Sequence, residues 1–187
     1  RLRGPNGTEL ANSWGPLAAE VSVAAPSSGV YTVLVASNDG GYEATGNYLL
    51  TLALTPGSYV VPSGDEGGTI THNAIDHEGV IHRADLDQWS FTSVQGTRIT
   101  VSIGEPGTDS PFYPYIRLRG PNGSTLATTW GPVSAQFEVN APLTGLYTVV
   151  VASNDGGYAA TGAYRLRVNG IANVPTGGAN LQITKVG

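Results

Sequence analysis

The stretch Arg98-Ile99-Thr100-Val101-Ser102-Ile103 alternates polar with apolar at every step, and a period of two marks a β-strand that buries one face. Ten residues earlier, Gln88-Trp89-Ser90-Phe91-Thr92 alternates in the same way. Together they place Trp89, Phe91, Ile99, Val101 and Ile103 on one buried face. Tyr115 to Leu118 then leads into Pro121-Asn122-Gly123, an Asn-Gly turn of the kind that closes a hairpin, and Thr125 to Thr128 returns. Ala135 to Val139, Gly145 to Ala152 and Ala163 to Val168 complete the set, separated by Gly, Pro, Asn and Asp. Val149 to Val151 is apolar on both faces, as a central strand is. Strands at regular spacing with no helical pattern between them predict an all-β, antiparallel β-sandwich.

The chain also repeats itself. RLRGPNG stands at Arg1 and again at Arg117, and residues 1–54 lie over 117–170 without a gap, with about 33 identities in 54 positions. Trp14-Gly15-Pro16 matches Trp130-Gly131-Pro132, and Ala36 to Tyr42 matches Ala152 to Tyr158. The reading is of tandem repeats of about 116 residues. Residues 1–54 form the C-terminal half of a first repeat, 55–73 a linker, 74–170 a complete sandwich, and 171–187 a linker, the start of a further repeat, or a donor strand carried by Leu181, Ile183 and Val186. The first copy lacks counterparts of the Trp89 and Ile99 strands, so either upstream residues or another subunit completes it. The simplest expectation is a window from a longer tandem array.

Several of these stretches carry a family resemblance. Asp85-Leu86-Asp87-Gln88-Trp89-Ser90-Phe91, Gly96 before the Ile99 strand, Tyr115-Ile116-Arg117-Leu118 with Gly120-Pro121-Asn122-Gly123, Gly145-Leu146-Tyr147-Thr148-Val149 and Gly162-Ala163-Tyr164-Arg165-Leu166 resemble the bacterial pre-peptidase C-terminal domain. The resemblance spans residues 70–170 fully and 1–54 as half a second copy. It implies a jelly-roll-like sandwich that is exported and not itself catalytic, appended to secreted hydrolases or strung in tandem in surface proteins. It also implies calcium in some relatives, of whose acidic ligand set this chain shows a part.

Composition narrows the function classes. Charged residues make up 12% of the chain, against about 25% in typical domains, and the net charge is -5 with Lys185 the single lysine. Nucleic-acid binding needs clustered cations and is not expected. No apolar run approaches the roughly 20 residues of a membrane span. Cysteine is absent, which removes disulfides, thiolate nucleophiles and Cys-ligated zinc. The Ser/Thr/Asn/Gly-rich, Lys-poor balance reads as a bacterial extracellular or cell-surface β protein.

Candidate chemistry is sparse. His72, His77 and His82 lie five apart, which puts neighbours on opposite strand faces, or about 140° apart on a helix, so neither gathers all three around a metal. Asp85 and Asp87 share a strand face and offer hard oxygens suited to calcium, with Asp155 as a third candidate ligand; otherwise the first two cap the entry to the Trp89 strand. Asn38-Asp39-Gly40-Gly41 and Asn154-Asp155-Gly156-Gly157 read as tight turns with positive φ. Trp14 and Trp130, each before Gly-Pro and read as loop residues, are either exposed stacking platforms or caps on the end of the sandwich. Tyr42 and Tyr158 join them as candidate ligand-binding aromatics. No Ser/His/Asp constellation, carboxylate pair or phosphate-cradling loop is present, so no enzyme is expected.

Two functions fit this reading. One is a structural or adhesive repeat of a surface stalk or extracellular filament, built by head-to-tail contacts between sandwiches. The other is an accessory module that holds a secreted hydrolase on polysaccharide or an extracellular protein.

Overall fold

The computed structural model describes residues 1–41, 43–55, 61, 63–107, 110–156 and 159–172. Every regular element among them is a strand, and no helix is long and apolar enough to cross a membrane.

Two sheets pack face to face. The four-stranded sheet has the order β10 (Ser134–Asn140), β7 (Arg98–Gly104), β12 (Gly162–Asn169), β5 (Asp76–Ile81). The five-stranded sheet has the order β4 (Gly67–Thr69), β6 (Asp87–Ser93), β11 (Gly145–Ser153), β8 (Pro114–Arg119), β9 (Thr125–Trp130). Neighbours pair antiparallel except β4 with β6. The expected β-sandwich is therefore the fold, and the expected strands form with ends shifted by a residue or two.

The alternation holds in detail. Trp89, Phe91, Ile99, Val101 and Ile103 are all buried, and they meet Ile116, Leu118, Tyr147, Val149, Val151, Leu166 and Val168 in one core between the sheets. Apolar burial of this kind stabilises by about 25 cal/mol per Å². The Asn-Gly turn closes the β8–β9 hairpin: Asn122 Oδ1 accepts from the Ser124 amide at 3.1 Å, and Gly123 takes φ 79°.

Two strands are additions to the sequence reading. β5 supplies one edge of the four-stranded sheet. β4 lies within the stretch read as linker, yet Gly67–Thr69 pairs with Gln88–Ser90 and brings Ile70 into the core. Gly67 is needed there, because at φ 135° a Cβ would sit 2.5 Å from the Gln88 carbonyl oxygen.

The first repeat forms a smaller sheet, β2 (Glu9–Ala11), β1 (Leu2–Arg3), β3 (Thr32–Val33). Its details recur in the second repeat 116 residues on. Gly4 N donates to Thr8 O at 2.9 Å as Gly120 N does to Ser124 O at 2.9 Å. Tyr31 Oη donates to Ser27 O at 2.5 Å as Tyr147 Oη does to Leu143 O at 2.5 Å.

Candidate functional site

Among the described residues, the β4–β6 pairing assembles an acidic group. Asp87, the first residue of β6, faces inward and is fully buried. Asp65 and Glu66 arrive on the segment leading into β4, and one ligand oxygen from each of the three carboxylates lies within 4.8 Å of the others. Tyr164 Oη, from β12 in the opposite sheet, donates to Asp87 Oδ2 at 2.5 Å and accepts from Trp89 Nε1 at 2.9 Å. Asp87 Oδ1 and Glu66 Oε2 are buried without a hydrogen-bond partner.

These orphaned oxygens make the group electrostatically tense, since buried acceptors are nearly always satisfied. Desolvation pushes the Asp87 pKa up to about 8, the Tyr164 bond pulls it down, and Asp85, Asp65 and Glu66 push it up again. Burial likewise raises Asp65, with Asp85 adding to the shift. Tyr164 is pushed up by desolvation and by the Asp87 charge, which keeps it a donor. The three carboxylates offer hard oxygens of the kind a divalent cation takes, three of the six to eight that calcium requires.

Of the three carboxylates read from the sequence, Asp85, Asp87 and Asp155, this group contains Asp87; Asp85 takes the capping role: its Oδ2 accepts from His82 N at 3.1 Å and its Oδ1 from Leu86 N at 2.9 Å. Asp155 is not in the group; its Oδ2 accepts from the Ala159 and Ala160 amides at 2.8 Å in the loop after β11. Asp39 Oδ2 does the same with Ala44 N at 2.6 Å, and Gly40 and Gly156 take positive φ, as tight turns require. None of the three histidines joins the group. His77 instead packs against Trp89 with ring centroids 5.0 Å apart, and desolvation lowers its pKa. Asp65 and Glu66 escaped the sequence reading because they lie in the stretch taken for linker. An adjacent acid pair in a charge-poor chain, just before Gly-Gly, was the available signal.

The tryptophans correct one expectation. Trp130 is the last residue of β9, not a loop residue, and it is 55% exposed; Trp14 is 72% exposed. Neither caps the core. The register explains Trp130: it pairs with Tyr115, one residue out of phase with the buried Ile116, so alternation sends it to the outer face. Arg117 lies two residues further along that face, its guanidinium 5.4 Å from the centre of the Tyr115 ring. Tyr42 and Tyr158 lie outside the described residues, as do Leu181, Ile183 and Val186.

That outer face also meets the first repeat. Arg117 pairs with Glu20 at 3.1 Å and Arg119 Nη2 donates to Ser22 Oγ at 2.7 Å. Gln88 and Val150, in register with Arg117 and outside the core cluster, are buried. Residues 17–25 and 47–55 of the first repeat line an open groove with Arg117, Arg119, Gln88 and Val150.

No family model matches the chain, and no curated protein matches it. Solved structures do. The pre-peptidase C-terminal domain of a collagenase from Bacillus anthracis is 21% identical, covering 56% of this chain and 96% of that one at a TM-score of 0.42. PliG of Salmonella Typhimurium, a periplasmic inhibitor of g-type lysozyme, is 17% identical over 56% of this chain and 96% of that one at 0.42. CorA of Methylomicrobium album BG8, a surface-associated copper-binding protein, is 10% identical over 58% and 98% at 0.46. The resemblance read from the sequence, to a pre-peptidase C-terminal domain, is thus met again among solved structures.

Proposed function

We propose that the chain is a non-catalytic repeat module of a bacterial extracellular assembly, a stalk or filament in which each β-sandwich packs on the sheet face of the next. The observation that carries this reading is the contact of Glu20 and Ser22 with Arg117 and Arg119, which lays the preceding repeat over part of the outer face of the five-stranded sheet. A contact reused at every step generates an extended rod without closing a ring. The Cys-free, Lys-poor composition supports a location outside the cell. In this reading Asp65, Glu66 and Asp87 hold calcium, which pins the entering strand β4 to β6 and so fixes the direction in which one repeat follows another. Electron microscopy of the protein with and without a calcium chelator tests it. Regular fibres with an axial period of one or two sandwiches are expected, and dispersed single particles under both conditions overturn the filament reading.

The exposure of both Trp14 and Trp130 favours a second use of the same surface, an accessory module that grips polysaccharide or an extracellular protein by indole stacking. Saturable quenching of tryptophan fluorescence by such a polymer, lost in Trp130→Ala without unfolding, is its expected signature. Unchanged fluorescence across a panel of polysaccharides and collagen-like proteins removes it.

A further inference from the structure

The first repeat exposes an apolar face whose counterpart in the second repeat is core. Tyr48 is 70% exposed where Tyr164 is 1%; Leu50 is 54% where Leu166 is 0%; Leu52 is 71% where Val168 is 0%. Val33 and Val35 are exposed where Val149 and Val151 are fully buried. An exposed apolar surface of this extent marks an interaction site.

Most of the lost strand structure lies on that face. In the second repeat β10 pairs with β7, β12 pairs with β5 and β7, and β11 pairs with β6. The first-repeat segments aligned with them, 18–24, 46–53 and most of 29–37, are not strands. What remains is what the C-terminal half makes alone. Leu2 pairs with Ala11 and Arg3 with Glu9, as Leu118 pairs with Ala127 and Arg119 with Thr125. Thr32 and Val33 pair with Arg3 and Leu2, as Thr148 and Val149 pair with Arg119 and Leu118.

We propose that this face is the docking surface for a polypeptide segment with the strand pattern of β4 to β7. A second copy of the chain does not serve, because the described residues hold two C-terminal halves and one segment of that pattern, already in use by residues 114–170. The face also dictates the chemistry of its occupant. Tyr164 closes on Gly79, where any Cβ would overlap its ring, and bonds Asp87 and Trp89. The occupant therefore carries Gly opposite Tyr48, with an Asp and a Trp to engage its hydroxyl. Arg165 and Arg167 pair with Glu78 and Asp76 across the β12–β5 edge, but their counterparts are Leu49 and Thr51. The occupant's β5-like strand is uncharged at those two positions, since a carboxylate facing leucine gains no partner.

This inference rests on the repeat organisation and not on filament assembly, so the microscopy can fail while it stands. The test compares the chain with a version in which residues 55–116 are duplicated in front of Arg1, with Asp76→Thr and Glu78→Val made in the added copy only. Amide exchange and binding of an apolar dye are read in both. Exchange at Tyr48, Leu50 and Leu52 is expected to slow by more than about 100-fold in the extended chain, toward that of Tyr164, Leu166 and Val168. Dye fluorescence is expected to fall several-fold, and Tyr48→Ala in the extended chain restores it. Unchanged exchange in the extended chain overturns the proposal. So does a parent chain that is already protected at these amides and dimeric by light scattering, which makes a second copy the occupant.

Discussion

In calcium-free buffer the protein is expected to lose stability between pH 6.5 and 7.5, and Asp87 is the cause. Its pKa is held up to about 8 by burial, against the Tyr164 bond and with the help of Asp85, Asp65 and Glu66. An aspartate in the unfolded chain titrates near 3.9. Between these values the folded state keeps a proton that the unfolded state has released, so the stability present below the unfolded pKa drains away as pH rises through the folded one. One such group contributes a slope of about 1.4 kcal/mol per pH unit. Asp65, raised for the same reason, adds to it in sign. His77 works the other way: desolvation lowers its pKa, so the unfolded chain protonates first and stability rises with pH up to about 6.5. Above 6.5 the histidine contribution fades, so the carboxylates dominate the window. A loss of about 1.4 kcal/mol in a unit of about 100 residues lowers Tm by roughly 5–10 °C. Calorimetry in chelator at pH 6.5, 7.0 and 7.5 reads this directly. Asp87→Asn keeps an acceptor for Tyr164 and has no proton to lose, so most of the fall in Tm over the window is removed. Calcium, binding the ionised form, is expected to raise the parent Tm most at pH 7.5. A parent Tm that is flat or rises with pH, or an Asp87→Asn variant that falls as steeply, refutes the reasoning.

Three further outcomes follow from the same packing. Tyr164→Phe strands Asp87 Oδ2 and Trp89 Nε1 without partners, and urea denaturation should register a loss of about 1–3 kcal/mol. Gly79→Ala drives a methyl group into the Tyr164 ring and should cost a similar 1–3 kcal/mol as overpacking, read as a lower Tm with an unchanged far-ultraviolet spectrum. Arg117→Ala with Arg119→Ala cuts two side-chain links to the first repeat, those to Glu20 and Ser22. Exchange should then quicken at Val150 and Gln88 while the core amides of Val149 and Leu118 keep their protection, and a uniform change across all four is the result that counts against the interface.

Local pattern and tertiary structure divided this protein between them. The alternation of Arg98 to Ile103, the turn chemistry of Asn122-Gly123 and the apolar run of Val149 to Val151 were legible in one dimension. Each is a local preference that the fold obeys, because a half-buried strand must place every second side chain in the core. The repeat was equally plain. β5 was not, since an edge strand needs only a few buried positions, and Asp76-His77-Glu78 shows none of the usual markers. β4 was invisible, because Gly67-Gly68 has no side chain to pattern and earns its strand by approaching the Gln88 backbone more closely than any other residue allows. The acidic group depended on that pairing. Asp65 and Glu66 stand more than twenty positions before Asp87, and Tyr164 seventy-seven after it, so only strand pairing brings the three carboxylates together and only the packing of the two sheets sets the Tyr164 hydroxyl on Asp87. The outward turn of Trp130 was likewise a matter of register, which one residue of slip would have reversed.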